Sequence, residues 1–339
     1  METNEINPHN IIKRILSISF FLSILLVIAI FLGISIGSTG SGIDEIFRAV
    51  FSDIDADPLL SAIIWKLRFP RVLLAALVGA ALSLGGLVFQ AILRNPLAEP
   101  YILGVSGGSA IGAIAGILIG FSQYPGVTIT AFAGSSLVLV AVLAISSGHA
   151  ILKQDTLLLA GVMVNSFCSA VIMFLISMTQ DARLHSIMFW LMGDFTMTNF
   201  TQVSILTAIL IPCFILIFLL SNSMNLLLLG KEMAVTMGAN IKLVTLILLI
   251  TTSFMVSATV SHCGLVGFVG LVIPHLLRLI IGPDHRVLVP ASVLGGGAYM
   301  VFCDLLARAL PIQGEMPVGV ITAMIGAPLF IILLRHSRV

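Results

Sequence analysis

One polar stretch, residues 221–242, divides the chain: it reads SNSMNLLLLGKEMAVTMGANIK and separates two long apolar runs. Apolar residues recur at four-residue spacing in each half, so each half can form a short helix with one apolar stripe. These positions are Met224 and Leu228, followed by Leu229, Met233 and Met237. Gly230 and Gly238 stand where two such helices would end. The segment therefore predicts either a docking surface for a partner or a helix pair in the membrane interface.

The composition indicates a polytopic membrane protein. Hydrophobic residues make up 59% of the 339 residues and charged residues 9%, against about 45–50% and about 25% in soluble domains. We expect an all-α fold that forms a single transmembrane domain over residues 1–339. The net charge of +1 gives the chain as a whole no preference for an acidic partner, and the dispersed basic residues argue against nucleic acid.

The four cysteines lie far apart inside apolar runs, and none has a second cysteine or a histidine at metal-ligand spacing. We interpret Cys168, Cys213, Cys263 and Cys303 as packed free thiols.

About ten apolar runs approach the ~20 residues that a bilayer crossing requires. They are residues 13–36, 70–93, 100–120, 128–147, 157–178, 201–221, 241–261, 264–281, 287–308 and 317–335. The first run follows Lys13 and Arg14 as a signal peptide would, but it exceeds the ~7–15 residues of a signal h-region. It is therefore expected to be a retained helix.

The distribution of Lys and Arg predicts the orientation of these spans. With a cytoplasmic N-terminus, ten of the 16 Lys and Arg residues face the cytoplasm, as the positive-inside rule prefers. Both termini and residues 221–242 are then cytoplasmic.

Three cations of the sequence WKLRFPR, residues 65–71, fall on the predicted outer face, where Arg308 ends a later span. Guanidinium groups bind carboxylates through two parallel hydrogen bonds. The cluster therefore predicts a site for an acidic partner or an anion, and the alternative is snorkelling towards lipid headgroups.

Two further motifs carry polar groups into apolar surroundings. NPLAEP, residues 95–100, must form a turn or a broken helix, and Glu99 is either a capping or hinge carboxylate or a proton or ion ligand. Residues 267–286 bring His275, Arg278, Asp284, His285 and Arg286 to one span end and its loop. This pattern favours a salt-bridge cluster over a metal or proton site.

The sequence contains no Walker-type nucleotide motif, no nucleophile elbow and no HExxH. The chain is therefore not expected to be an enzyme. The predicted spans also lack mid-depth Asp or Glu, which a proton-driven secondary transporter would usually show. An ion-driven transporter and a membrane scaffold or receptor remain as alternatives.

From Ile64 onward the chain resembles permease subunits of the FecCD or BtuC type, which belong to ABC importers of iron-siderophores, haem and cobalamin. The resemblance depends on the joint order of seven segments. They are LRFPR (67–71), NPLAEP with LGVSGG (95–108), LLLAGVMVN (157–165), GFVGLVIPH (267–275), GPDHR (282–286), DLLAR (304–308) and PVGVITAMIGAPLF (317–330).

The resemblance implies a BtuC-like permease fold with about ten spans in the cytoplasmic (inner) membrane. It implies a homodimer with a central pathway, two cytoplasmic ABC ATPase subunits that bind the ATP and Mg, and an extracytoplasmic substrate-binding protein. The chain itself would bind no cofactor and no metal. An iron-siderophore is the first expectation for the substrate, with haem and cobalamin as alternatives.

The resemblance also assigns residues to roles. Docking of the binding protein falls to Arg68, Arg71 and Arg308. The pathway and its cytoplasmic gate fall to Asn165, His149, Lys153 and Asp155. Coupling to the ATPase falls to Leu226, Leu228, Leu229, Gly230, Lys231, Glu232, Met233, Met237 and Gly238.

Overall fold

The computed structural model of the protein describes residues 8–36, 58–146, 154–228, 236, 240–311 and 314–336. Within these ranges the regular secondary structure is helical and no strand occurs. The helices are α1 Pro8–Ser35, α2 Pro58–Ile63, α3 Phe69–Leu93, α4 Val105–Ile119, α5 Thr128–Ser146, α6 Gln154–Ser177, α7 Asp181–Leu191, α8 Phe200–Leu219, α9 Ser221–Leu228, α10 Ile241–Cys263, α11 Val269–Ile281, α12 His285–Ala309 and α13 Val318–His336. A π-helical turn, Ile64–Arg68, joins α2 to α3.

Helix α3 is the centre of the subunit. It is buried along almost its whole length, and α1, α8, α9, α10, α11 and α12 all pack against it. A helix that is apolar on every face belongs inside such a bundle. The four cysteines lie buried as free thiols in α6, α8, α10 and α12, which confirms their predicted role in packing.

Glycines allow the closest contacts between these helices. A Cβ at Gly79 of α3 would collide with the backbone carbonyl of Gly296 in α12, and a Cβ at Gly86 would collide with that of Gly270 in α11. Helix α4 packs against α5 in the same way, because a Cβ at Gly112 would meet the carbonyl of Thr130. Small residues thus bring the backbones of the spans together.

Helices α4 and α11 each begin after a non-helical segment, and these two segments contact each other. Their N-cap residues, Gly104 and Phe268, both have left-handed backbones with φ of 74° and 69°. The Tyr101 hydroxyl donates to the Val266 carbonyl at 2.8 Å and accepts from its N–H at 3.2 Å. Glu99 accepts from the N–H of Phe268 at 3.1 Å. The NPLAEP motif is therefore a break, as predicted, and Glu99 takes the first of its two predicted roles, since its carboxylate accepts a backbone N–H at the start of α11.

Each of the ten predicted runs coincides with a helix, but the lengths divide them into two groups. Seven helical segments are long and apolar enough to cross a bilayer, while α4, α11 and α13 have apolar stretches of only 10–17 residues. The first residues of the predicted run 264–281 form the break before α11, because apolar composition does not distinguish extended chain from helix. The count of about ten crossings therefore stays a prediction.

Contacts between the helix ends define two opposite faces of the bundle. Arg14 near the start of α1 donates to the carbonyl of Ile281 at the end of α11. At the other end of α1, Arg308 of α12 donates to the carbonyls of Gly33 at 2.9 Å and Ile36 at 3.2 Å. The start and the end of α12 thus lie on opposite faces.

Candidate coupling and docking surfaces

Helix α9 forms the first half of the predicted coupling segment and lies against α3, α8 and α12. Met224 and Leu227 are buried at 0% and 5% exposure, Leu226 is half-buried, and Leu228 is 43% exposed. The predicted stripe of Met224 with Leu228 is therefore wrong in its second member, because the helix buries positions three residues apart. Leu228 instead faces outward, where a partner can reach it.

Most of the second half of the predicted coupling segment lies outside the described residues, apart from Thr236, which is helical and exposed, and residues 240–242 at the start of α10. The predictions for Leu229, Gly230, Lys231, Glu232, Met233, Met237 and Gly238 therefore stay predictions.

Asn225 of α9 contacts the turn between α11 and α12. Its side-chain oxygen accepts from the backbone N–H of His285 at 2.9 Å and lies 2.8 Å from Nδ1 of the same residue. Because the backbone N–H can only donate, the amide orientation is fixed and Nδ1 of His285 must carry the proton. The amide nitrogen of Asn225 then donates to Asp284 at 2.8 Å.

Asp284 is the N-cap of α12 and accepts from the N–H of Arg286 at 3.0 Å. The Arg286 guanidinium also binds both carboxylate oxygens, at 3.0 Å and 2.7 Å. Burial alone would raise the pKa of Asp284, but the hydrogen bonds from Arg286 and Asn225 outweigh it and hold this pKa at about 2. The carboxylate therefore stays ionised at neutral pH.

The predicted salt-bridge cluster of residues 267–286 is present only as the pair of Asp284 and Arg286. Arg278 instead donates to the side chain of Gln90 in α3 at 3.2 Å, and the His275 ring packs edge-on near Phe330. Within the described ranges, no three His, Cys, Asp or Glu side chains come together as a metal site would require.

On the opposite face, Arg71 and Arg308 form a buried ion cluster with two carboxylates. Nε of Arg71 donates to Asp304 at 2.8 Å, its Nη1 donates to Glu315, and Nε of Arg308 lies 3.1 Å from the second oxygen of Asp304. The side chains of Asp304, Arg308 and Arg71 are 0%, 5% and 9% exposed, whereas Glu315 is 32% exposed. We call these four residues the arginine cluster.

Two of the predicted docking arginines also cap the C-terminal end of α1. Arg68 donates to the carbonyl of Ile34 at 3.0 Å, next to the two carbonyls of α1 that Arg308 binds. These bonds satisfy backbone acceptors that a helix end leaves without intrahelical partners. All three guanidinium groups are thus brought together as predicted, but they face acceptors within the chain. Their role in docking stays a prediction.

The predicted pathway residue Asn165 lies on an exposed face of α6, next to Ser166 and Ser169. The two serine hydroxyls donate back to carbonyls of their own helix at 2.9 Å. Of the predicted gate residues, His149 and Lys153 lie outside the described residues. Asp155 lies in the first turn of α6, and the position of its side chain is likewise outside the description.

The sequence analysis did not predict the partners that the docking arginines and the turn before α12 have within the chain. Asp304 precedes Arg308 by four residues, a spacing that brings both onto one helix face and could have indicated the ion pair. Glu315 and Asn225 carry no comparable signal, because their partners lie 244 and 59 residues away in the chain.

Comparison with known proteins identifies the family of this helical arrangement. The model of the FecCD transport family matches residues 25–336. The chain belongs to this family. Among curated relatives, it is 38% identical over 325 residues to the uncharacterized ABC transporter permease protein YvrB of Bacillus subtilis, covering 92% of each chain. It is 42% identical over 276 residues to the vitamin B12 import system permease protein BtuC of Salmonella arizonae, covering 81% of this chain and 83% of that one.

Solved structures agree with this assignment. The fold matches a candidate metal-chelate type ABC transporter in an inward-facing conformation, with a TM-score of 0.84 and 34% identity over 94% of this chain and 99% of that chain. PsaBC from Streptococcus pneumoniae, at 16% identity and a TM-score of 0.57, shares the fold. The FecCD-family chain is therefore a membrane permease subunit of an ABC importer, a class of subunits that are not themselves enzymes.

Proposed function

We propose that this chain forms, with a second copy of itself, the pathway of a binding-protein-dependent importer for a metal chelate in the cytoplasmic membrane. Each copy would cross the bilayer about ten times. The short helices α4 and α11 would complete their crossings together with the non-helical segments that precede them. Such broken spans are tolerated where protein covers their backbone.

The exposed polar face of α6 carries this proposal. Asn165, Ser166 and Ser169 lie on the surface of a single subunit, inside the otherwise apolar stretch 157–176 of this helix. An exposed amide in lipid is costly, so this face requires a water-filled path or a second protein surface. A second copy packed beside α6 would supply both, and the uncharged face would not retain a bulky chelate tightly.

The energy would come from two cytoplasmic ABC ATPase subunits that hold the ATP and Mg. Their contact would be the coupling segment, where α9 presents the exposed Leu228. The N-terminus would then be cytoplasmic, because the start of α1 lies on the same face as the end of α11 and the start of α12, where α9 also binds. The distribution of Lys and Arg predicts the same side for the C-terminus.

The extracytoplasmic binding protein would dock on the face that carries Arg68 and the arginine cluster. Three guanidinium groups against two carboxylates leave one excess positive charge there, which would attract an acidic surface. We expect Arg68→Glu to weaken capture of the binding protein in a pull-down. Unchanged capture would remove Arg68 from the docking surface.

The substrate expected from the sequence is an iron-siderophore, with haem as a further candidate. Cobalamin is the other candidate, because several relatives at 37–42% identity are named as permeases for vitamin B12. These ligands share a bulky organic shell around a metal, and the structure of α6 suits any of them.

Reconstitution tests the proposal. The chain is purified with its copurifying ATPase, placed in liposomes with the binding protein, and supplied with radiolabelled cobalamin or a ferric siderophore. We expect uptake of one of them that requires ATP hydrolysis and persists when ionophores dissipate ion gradients. Uptake by the chain alone under an ion gradient would indicate a secondary transporter, and absence of flux under every condition would indicate a scaffold or receptor.

A further inference from the structure

The contact between α9 and the turn before α12 differs from ordinary helix packing, because polar groups make it in a partly apolar setting. Asn225 is half-buried, His285 is 0% exposed, and Asp284 accepts from two different side chains. Buried polar contacts of this kind hold one geometry, since any slip leaves donors and acceptors unpaired.

The geometry points to a joint: we propose that Asn225, Asp284 and His285 lock α9 to the start of α12, so that a push on the coupling segment moves α12. The inference rests on the proposed function, because it assumes that an ATPase subunit acts on α9. It deepens that function by naming the residues that position α9 for coupling.

Three features connect α9 firmly to the start of α12. The side-chain oxygen of Asn225 binds both the backbone and the ring of His285, so a movement of α9 acts on the first residue of α12 itself. Asp284 joins the same amide to the N-terminus of α12. Negative charge at this position also complements the helix dipole, which keeps the carboxylate in place.

Helix α12 is suited to carry the movement onward. Its 25 residues span about 37 Å, and Pro290 lies in its second turn, so the remaining length is uninterrupted. Its far end carries Asp304 and Arg308 of the arginine cluster. The joint and the arginine cluster therefore lie at opposite ends of one helix.

The test measures substrate imported per ATP hydrolysed by the reconstituted complex. We expect Asn225→Ala to lower this ratio about tenfold, as the loss of a charge-assisted hydrogen bond predicts, while the ATPase still copurifies with the chain. The control is Asn222→Ala, which removes the same side chain from an exposed position of the same helix. An equal loss in Asn222→Ala would overturn the joint.

His285 provides a rescue that a general folding defect would not show. His285→Asn can place an amide donor near the position of Nδ1, whereas His285→Ala cannot. We expect the Asn variant to retain more of the uptake per ATP than the Ala variant. We also expect Asn225→Ala combined with His285→Ala to lose little more than either change alone.

The outcomes separate this inference from the proposed function. The joint alone would be overturned if the wild type imports substrate with ATP and Asn225→Ala imports as much substrate per ATP. It would also be overturned if the losses of the two single variants add in the double variant. A wild-type preparation that contains no ATPase and shows no ATP-dependent uptake would overturn the proposed function, and the joint with it.

Discussion

Removing Asp304 should destabilise the folded chain more than removing Glu315, although both bind Arg71. The Asp304 side chain is fully buried and faces both Arg71 and Arg308, whose side chains are 9% and 5% exposed. Asp304→Ala leaves two guanidinium groups in a dry site with one carboxylate fewer. Removing one partner of a buried ion pair costs about 3–5 kcal/mol.

Glu315 is the matched control within the same cluster. Its side chain is 32% exposed, so water can replace it beside Arg71, and exposed pairs contribute only about 0–1 kcal/mol. In a large domain, a loss of about 1 kcal/mol in the free energy of unfolding lowers the melting temperature by about 2 °C. Asp304→Ala should therefore lower the melting temperature by about 6–10 °C. Glu315→Ala should lower it by about 2 °C or less.

Thermal unfolding of the detergent-solubilised chain measures both shifts. Asp304→Asn is expected to fall between them, because the amide keeps one acceptor oxygen for Arg71. Equal shifts for the two Ala variants would refute the buried cluster. The same reasoning makes Arg308→Glu a poor probe of docking, since the new carboxylate would face Asp304.

Three further predictions follow from burial and charge. Gly79→Ala sets a methyl group against a backbone carbonyl of α12 and should lower the free energy of unfolding by about 1–3 kcal/mol. In the control Gly295→Ala the new methyl group meets its nearest atom at 3.5 Å, so thermal unfolding should show a neutral or stabilising effect. Equal effects of the two changes would contradict the close approach. Leu228→Glu should abolish ATP-dependent uptake with little loss of thermal stability, because the side chain is 43% exposed. Leu227→Glu should unfold the chain, because that side chain is buried. Normal uptake by Leu228→Glu would show that α9 does not contact the ATPase. The folded-state pKa of Asp284, about 2, lies below the reference value of 3.8, so its contribution is present above about pH 4 and is lost as the pH falls towards 2. The stability gap between the wild type and Asp284→Asn should therefore be about 1 kcal/mol at neutral pH after solvent screening and should close in acid, and a gap independent of pH would contradict the assignment.

The positions of the helices were predictable from sequence because a bilayer leaves the backbone few choices. Residues 241–261 were predicted as a span, and the helix is Ile241–Cys263. Long apolar runs must satisfy their backbone groups internally, which favours a helix over nearly every residue. The break before α11 was not predictable, because Glu99 and Tyr101 hold it from 165 or more residues away.

In the candidate sites, too, residue spacing within one helix was informative, whereas contacts between distant parts of the chain were not predictable. In α9 the four-residue spacing indicated a helix with one buried stripe, but the contacts with α3 and α12 decide that Met224 and Leu227 point inward. The sequence also indicated that Arg68, Arg71 and Arg308 collect on one face. Only the fold shows that α1 carbonyls and Asp304 already occupy much of their hydrogen-bonding capacity.

That internal pairing constrains how docking could act through Arg71. A carboxylate of a binding protein that displaced Asp304 would have to offset the free energy lost when the buried contact between Asp304 and Arg71 is broken. One that displaced the partly exposed Glu315 would exchange one surface carboxylate for another at little cost. Docking through Arg71 would therefore proceed by exchange at Glu315 and leave the contact with Asp304 intact. Because Asp304 belongs to α12, this exchange would act on the helix whose other end binds the coupling segment through Asn225.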